Sequence, residues 1–259
     1  MSLPTTLWIV LGTQWTAAAV FTLLGVVLLR RRVADDAARF ASVMFALWWF
    51  GLGVSKFVTG LRIALQVPDV PLSLLVGLSF VSSSAVAIGL AGLLCHLIYL
   101  FTGRTALLWP VIGFYALLCG WIISSSSVWN PVGVEISAWG AEFAYAQPYT
   151  MAYRLVVLLV IVGPQVLAVA ALFVMAARLP SSAGRFRTIV VAASVAIYIV
   201  DALIAPAYPA DSAIWQIVHH TIPIGVGLGV LAVYRPPRWL RGRMPPELSA
   251  TALREAAGA

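Results

Sequence analysis

Seven long apolar stretches divide this chain, and arginine collects at every second junction between them. The hydrocarbon core of a bilayer is about 30 Å thick and is crossed by about 20 apolar residues in helical form. No water is available there, so every backbone N–H and C=O of a crossing segment must find its partner inside the segment. Stretches of this length and spacing therefore leave a helix bundle as the available fold. They run near 6–29, 40–66, 72–101, 106–126, 150–177, 187–208 and 213–234. Only 10% of the 259 residues are charged and 62% are hydrophobic, whereas a soluble domain carries about 25% charged residues. The expectation is an all-α integral membrane protein: a seven-transmembrane-helix bundle over residues 1–234, then a short basic, proline-containing tail over 235–259.

Orientation follows from the placement of charge. The arginine-rich junctions are RRRVADDAAR after the first stretch, Thr102-Gly103-Arg104 after the third and Arg178 to Arg187 after the fifth; the tail adds Arg235, Arg238, Arg241 and Arg243. The intervening junctions VPDVP and APAYPADSA carry no basic residue. Positive residues mark the cytoplasmic face, and seven spans place all of these arginines on one side. The predicted topology has the N-terminus outside and the C-terminus in the cytoplasm, in a bacterial or archaeal cell membrane. The first stretch has arginines after it and none before it, the reverse of a cleavable signal peptide. The net charge of +7 is thereby assigned to the bilayer surface, and no nucleic-acid partner is expected. Cys95 and Cys119 both fall inside apolar stretches, where thiols pack as small hydrophobes.

Ionisable side chains inside a membrane are costly and point to function. Lys56 is the sole lysine of the chain and lies about 24 Å up its span from the cytoplasmic end. Asp201 lies about 20 Å up the sixth span, and His219 and His220 about 10 Å below the outer surface in the seventh. Gln14 in the first span and the Ser82-Ser83-Ser84 run in the third reach a similar level. Trp49 and Tyr198 stand beside this layer, with Trp15, Trp48, Tyr153 and Trp215 near it. The coincidence of depth predicts an outward-facing pocket holding a small, largely apolar ligand, in which Lys56 and Asp201 form an ion pair. Lys56, Asp201, His219, His220, Gln14, Ser83, Trp49 and Tyr198 are the expected ligand-binding residues. The external connection from Ser127 to Tyr149, rich in aromatics, is expected to lie on the membrane surface as a hairpin or short helix. It serves either as an interfacial aromatic belt or as a cover over the pocket. Arg62 and Arg154 at outer span ends are expected to reach the interface.

Three histidines are too few for a His-rich di-iron centre, and no CxxC, HExxH, phosphate-binding loop or GxSxG motif occurs in usable context, so no metal or cofactor is assigned. Seven helices with an outer N-terminus and short loops resemble the architecture of microbial rhodopsins and of G-protein-coupled receptors. The opening LWIVLGTQW is similar to a rhodopsin first helix, but the seventh span lacks the lysine that would hold retinal there. Pro164-Gln165, with Thr13-Gln14 at the matching place of the first span, resembles the PQ-loop carriers, which implies small-solute transport through a three-plus-three repeat. Asp201 among aromatics resembles the small membrane terpene cyclases, which implies an enzyme acting on an isoprenoid or lipid. The leading expectation is a receptor-like protein that passes a signal to a cytoplasmic or membrane protein partner. A kink near Pro164 and the glycines Gly225, Gly227 and Gly229 are expected to permit helix movement.

In a background lacking Cys95 and Cys119, an impermeant maleimide is expected to label Ser137→Cys in intact cells. Gly242→Cys is expected to react only after permeabilisation; the opposite pattern reverses the topology.

Overall fold

The computed structural model describes residues 5–31, 36–65, 70–124, 131–137, 139–145, 158–180, 182–204 and 212–245. Helix α1 spans Thr5–Leu29, α2 Asp36–Ala64 and α3 Leu72–Thr102. Gly103 ends α3 with φ 64° and returns its N–H to the Tyr99 carbonyl, a left-handed cap that a residue with a Cβ adopts only at a cost. A short 3-10 turn, Thr105–Leu107, leads into α4 (Leu108–Ser124). The chain then forms an antiparallel hairpin of β1 (Pro131–Ile136) and β2 (Ala141–Tyr145), pairing Val134 with Phe143 and Ile136 with Ala141. A π turn over Leu158–Val162 runs into α5 (Gly163–Arg178), followed by α6 (Ala183–Ile204), α7 (Ala213–Tyr234) and the short α8 (Arg238–Arg241). The distortion expected near Pro164 is therefore a π turn just before α5, with the proline in the first turn of the new helix, where its missing N–H costs nothing.

Among the described residues, five helices are long and apolar enough to cross a bilayer: α1, the Arg39–Ala64 part of α2, α3, α6 and α7. Two further apolar helices, Thr105–Trp121 and Gly163–Arg178, are shorter. The protein is a multi-pass helical membrane protein.

Each helix in the series α1, α2, α3, α5, α6 and α7 packs on the next, α7 returns to α1, and α4 lies against α3. The ring has two distinct ends. Arg31, Arg187 and Tyr234 meet at one, here the arginine end, and the β-hairpin covers the other, the hairpin end. Between them lies one aromatic and aliphatic core. Phe21 contacts Trp49 at 5.6 Å between ring centroids and Tyr198 at 6.5 Å, and Phe45 meets Trp49 at 5.9 Å. Leu90, Leu93, Val195 and Val230 fill the space around them, each almost wholly buried. The outer surface is apolar as well: Leu117 is 77% and Ile214 75% exposed. A soluble protein would bury such residues; lipid accepts them.

Glycine decides how near the ring helices come. A Cβ on Gly51 of α2 would strike the Ala85 carbonyl and lie 2.9 Å from the Gly89 Cα of α3. One on Gly92 would lie 2.6 Å from the Met44 carbonyl, and one on Gly227 of α7 2.6 Å from Val20 of α1. In lipid, where apolar side chains gain little by leaving their solvent, close backbone approach of this kind supplies much of the association. Gly227, expected to allow helix movement, serves here as a packing contact. Cys95 and Cys119 are free thiols directed at the carbonyls of Leu108 and Ser84 across the α3–α4 seam.

Gly51→Leu is expected to lower the melting temperature of the detergent-solubilised protein, by about 1–3 kcal/mol of stability. Gly113→Leu, where nothing lies within 4 Å of the added Cβ, is expected to leave it unchanged.

Candidate functional site

The hairpin end of the ring gathers the ionisable residues of three helices. Asp201 lies near the end of α6 and is 4% exposed; His219, 28% exposed, lies in the second turn of α7. The two helices run antiparallel and adjacent, so residues close to the α6–α7 junction in sequence face each other in space. His219 donates its Nδ1–H to the Asp201 carboxylate, at 2.9 and 3.1 Å to its two oxygens. That bond commits Nδ1 of the ring to the carboxylate.

Lys56 occupies the inward stripe of α2, one turn beyond Leu52 and two beyond Trp49. Its ammonium lies 5.8 Å from the centroid of the Tyr198 ring on α6, a distance that permits attraction to the ring face. The expected ion pair of Lys56 with Asp201 is replaced among the described residues: histidine takes the carboxylate and the tyrosine face takes the ammonium. The reason is rotational. Asp201 and Tyr198 stand three residues apart on one face of α6, and the α7 side of that face reaches the carboxylate first.

His220 stacks obliquely on His219, with 4.9 Å between ring centroids. It lies within electrostatic range of Lys56 and Asp201, and the Trp139 backbone of the hairpin is within hydrogen-bonding reach. Both histidines are thus half-buried and engaged with neighbouring groups. Two buried polar atoms at this end have no hydrogen-bond partner among the described residues, His220 Nε2 and Gln14 Oε1. Gln14 belongs to the buried stripe of α1. Buried polar atoms are almost always satisfied, by protein, water or ligand.

The remaining expected residues are distributed differently. Trp49 is wholly buried in the central core and packs on Phe21 and Phe45, so it seals the floor below the polar residues. In the serine run it is Ser82, not Ser83, that bonds across to α2, at 2.8 Å to Ser55 Oγ and 3.3 Å to Thr59 Oγ1. Those bonds tie α2 to α3 along the flank of α2 next to Lys56; Ser83 is half-buried. Trp15 and Trp215 are 40% and 50% exposed and face outward in part. Tyr153 and Arg154 lie outside the described residues. Arg62 does not stand alone at the interface: its guanidinium lies 4.9 Å from the Phe143 ring centroid of the hairpin.

The hairpin, expected from its aromatics to lie on the membrane surface, packs on the helix ends. Val134 and Trp139 close over a small separate core of Leu7, Val10, Leu11 and Ile63 at the ends of α1 and α2. The signal for this in the sequence was the pairing of alternating apolar residues in PVGVEI and AEFAY.

Two cavities bordered by described residues lie elsewhere. One, of about 640 Å³, is apolar and sits on the outer side of the α2–α3 seam between Leu47, Phe50, Val54, Phe80, Val81 and Ile88. The other lies at the arginine end. The larger of these two is on the far side of α2 from Lys56. Comparison with protein-family models, with curated proteins and with solved structures finds no match to this chain.

A double-mutant cycle on Asp201→Ala and His219→Ala is expected to return a coupling of about 1 kcal/mol, as hydrogen bonds between membrane helices do. It is read from unfolding in mixed micelles; additive single mutants contradict the pairing.

Proposed function

We propose that the protein is a seven-span, receptor-like membrane protein with its N-terminus outside, which binds a small, mainly apolar molecule carrying one polar group in the outer half of the bundle. Counting α4 and α5 as spans makes every arginine-bearing junction cytoplasmic, in keeping with the distribution of positive charge in membrane proteins. The hairpin end is then the outer end. The observation that carries the reading is the buried Asp201–His219 couple with His220 and Lys56 beside it. Groups this costly to desolvate are kept where they hold or respond to something. His220 Nε2 and Gln14 Oε1, which have no hydrogen-bond partner among the described residues, supply acceptors for a hydroxyl or amide of the ligand, and Lys56 supplies a donor for a carbonyl or carboxylate. Trp139 and the hairpin form the roof, and the Phe21–Trp49 contact the floor. A ligand that exchanges its polar group with the Asp201–His219 bond alters the grip of α6 on α7. That movement reaches a cytoplasmic or membrane partner through the arginine-bearing ends of the same helices.

A carrier is the second reading, favoured by one observation: polar groups gather at both ends of the ring, with the aromatic core between them. Uptake of a solute into proteoliposomes, abolished in Asp201→Asn, would support it over the receptor.

Organic extracts of purified wild-type protein are expected to contain a small lipid-soluble compound by mass spectrometry. Its amount is expected to fall about tenfold in Lys56→Met, as loss of a charge-assisted hydrogen bond implies. Equal loading of wild type and Lys56→Met overturns the proposed role of the ammonium.

A further inference from the structure

The chain beyond α7 carries an interaction surface at the arginine end, separate from the residues around Asp201. Arg235, Arg238, Arg241 and Arg243 fall within RPPRWLRGR, and no Asp or Glu occurs between 212 and 246. All four arginines are exposed, and among the described residues none of their side chains is paired with another. Trp239, between two of them, is 67% exposed, and Leu240 beside it is half-buried.

The backbone explains why this stretch does not simply lengthen α7. Arg235 leaves the helical region at φ −128° and ψ 74°, as the bulk of a following proline favours, and Pro236 and Pro237 have no N–H with which to continue the ladder. The chain resumes as the single turn α8, in which the Leu240 and Arg241 N–H groups close on the Pro237 carbonyl, each at 3.0 Å. The Arg243 N–H then closes on the Leu240 carbonyl at 2.9 Å. One turn gathers guanidinium groups around an indole directly after a helix long and apolar enough to cross a bilayer. The end of such a helix lies at the boundary between lipid and water.

We propose that residues 235–243 dock on the headgroups of anionic phospholipids, with the guanidinium groups on the phosphates and the Trp239 ring at the interface. Guanidinium meets phosphate oxygens through paired N–H donors. Basic segments next to a bilayer-crossing helix are drawn to an anionic leaflet, and tryptophan favours the headgroup level. A soluble acidic protein offers the same charge, but the bilayer is already beside the segment and also accepts the exposed indole. Docking fixes the end of α7, where Tyr234 packs on Phe45 at 6.5 Å between ring centroids.

The test uses full-length protein with Cys95 and Cys119 replaced by alanine and a bimane fluorophore attached through Gly242→Cys, where an added Cβ meets nothing within 4 Å. It is placed in phosphatidylcholine nanodiscs with and without phosphatidylglycerol. Emission is expected to shift to the blue only with phosphatidylglycerol, and the shift to fade at high salt. Arg238→Gln and Arg241→Gln, at exposed positions that do not threaten folding, are each expected to lower the ratio of docked to free segment about fivefold. Arg178→Gln, exposed at the end of α5, is expected to dock as the parent does. Equal emission in the two discs, or an unchanged response in the Arg238→Gln/Arg241→Gln double variant, overturns the proposal. So does a shift on adding polyglutamate to pure phosphatidylcholine discs without one on adding phosphatidylglycerol, which assigns the patch to an acidic protein.

Discussion

A polar group placed in hydrocarbon must bring its partner with it. Applied to the backbone, that requirement makes each apolar stretch a helix, because only a helix satisfies its own N–H and C=O groups without help from outside. Applied to side chains, it leaves few arrangements for the ionisable residues of α2, α6 and α7. The Asp201 carboxylate, almost wholly buried, is met by His219; the Lys56 ammonium is met by the Tyr198 ring face. Each contact joins two helices, so the residues hardest to bury also help to hold the ring together.

The packing that surrounds them relies on surface rather than on the hydrophobic effect. Lipid is as apolar as leucine, and helices associate in it through close fit. The α2–α3 seam meets this with Gly51, Gly89 and Gly92 and adds the Ser55–Ser82 hydrogen bond. The α1–α7 contact meets it with Gly227 against Val20 and Phe21. The aromatic core then separates two polar regions of different character. At the hairpin end a carboxylate, two imidazoles and one ammonium lie together; at the arginine end guanidinium groups border a cavity with no carboxylate among its described walls. α6 and α7 contribute to both, through Asp201 and His219 at one end and Arg187 and Tyr234 at the other.

Much of this was legible in the residues. The stretch expected at 213–234 coincides with α7, and 6–29 and 72–101 differ from α1 and α3 by one residue at one end. Such ends are set by abrupt changes, from apolar residues to arginine or proline, that a reader sees as readily as the solvent does. The fourth and fifth stretches are helical over their described parts, Leu108–Ser124 and Gly163–Arg178. Depth along a helix follows from counting at 1.5 Å per residue, so Lys56, Asp201, His219 and His220 were correctly brought to one end. The choice of partner was not. Depth carries no azimuth, and Lys56 and His219 are equally plausible mates for Asp201 until the rotation of α6 is known. The same lack of azimuth put Ser83 in the pocket, whereas Ser82 makes the bonds, and it treated Trp49 as a lining residue, whereas it is part of the core.

The amino-acid sequence on its own determined the solvent of this protein, the helical nature of its long elements and the end at which each charge resides. These depend on composition along a line, and the bilayer reads composition along a line. Tertiary structure alone decided that histidine rather than lysine takes the buried carboxylate, that a β-hairpin closes one end, and that Arg31 and Arg187 share a cavity at the other. Those outcomes depend on which helices are neighbours and how each is turned about its axis. Both are settled by the fit of glycine, aromatic and aliphatic surfaces from segments far apart in the chain.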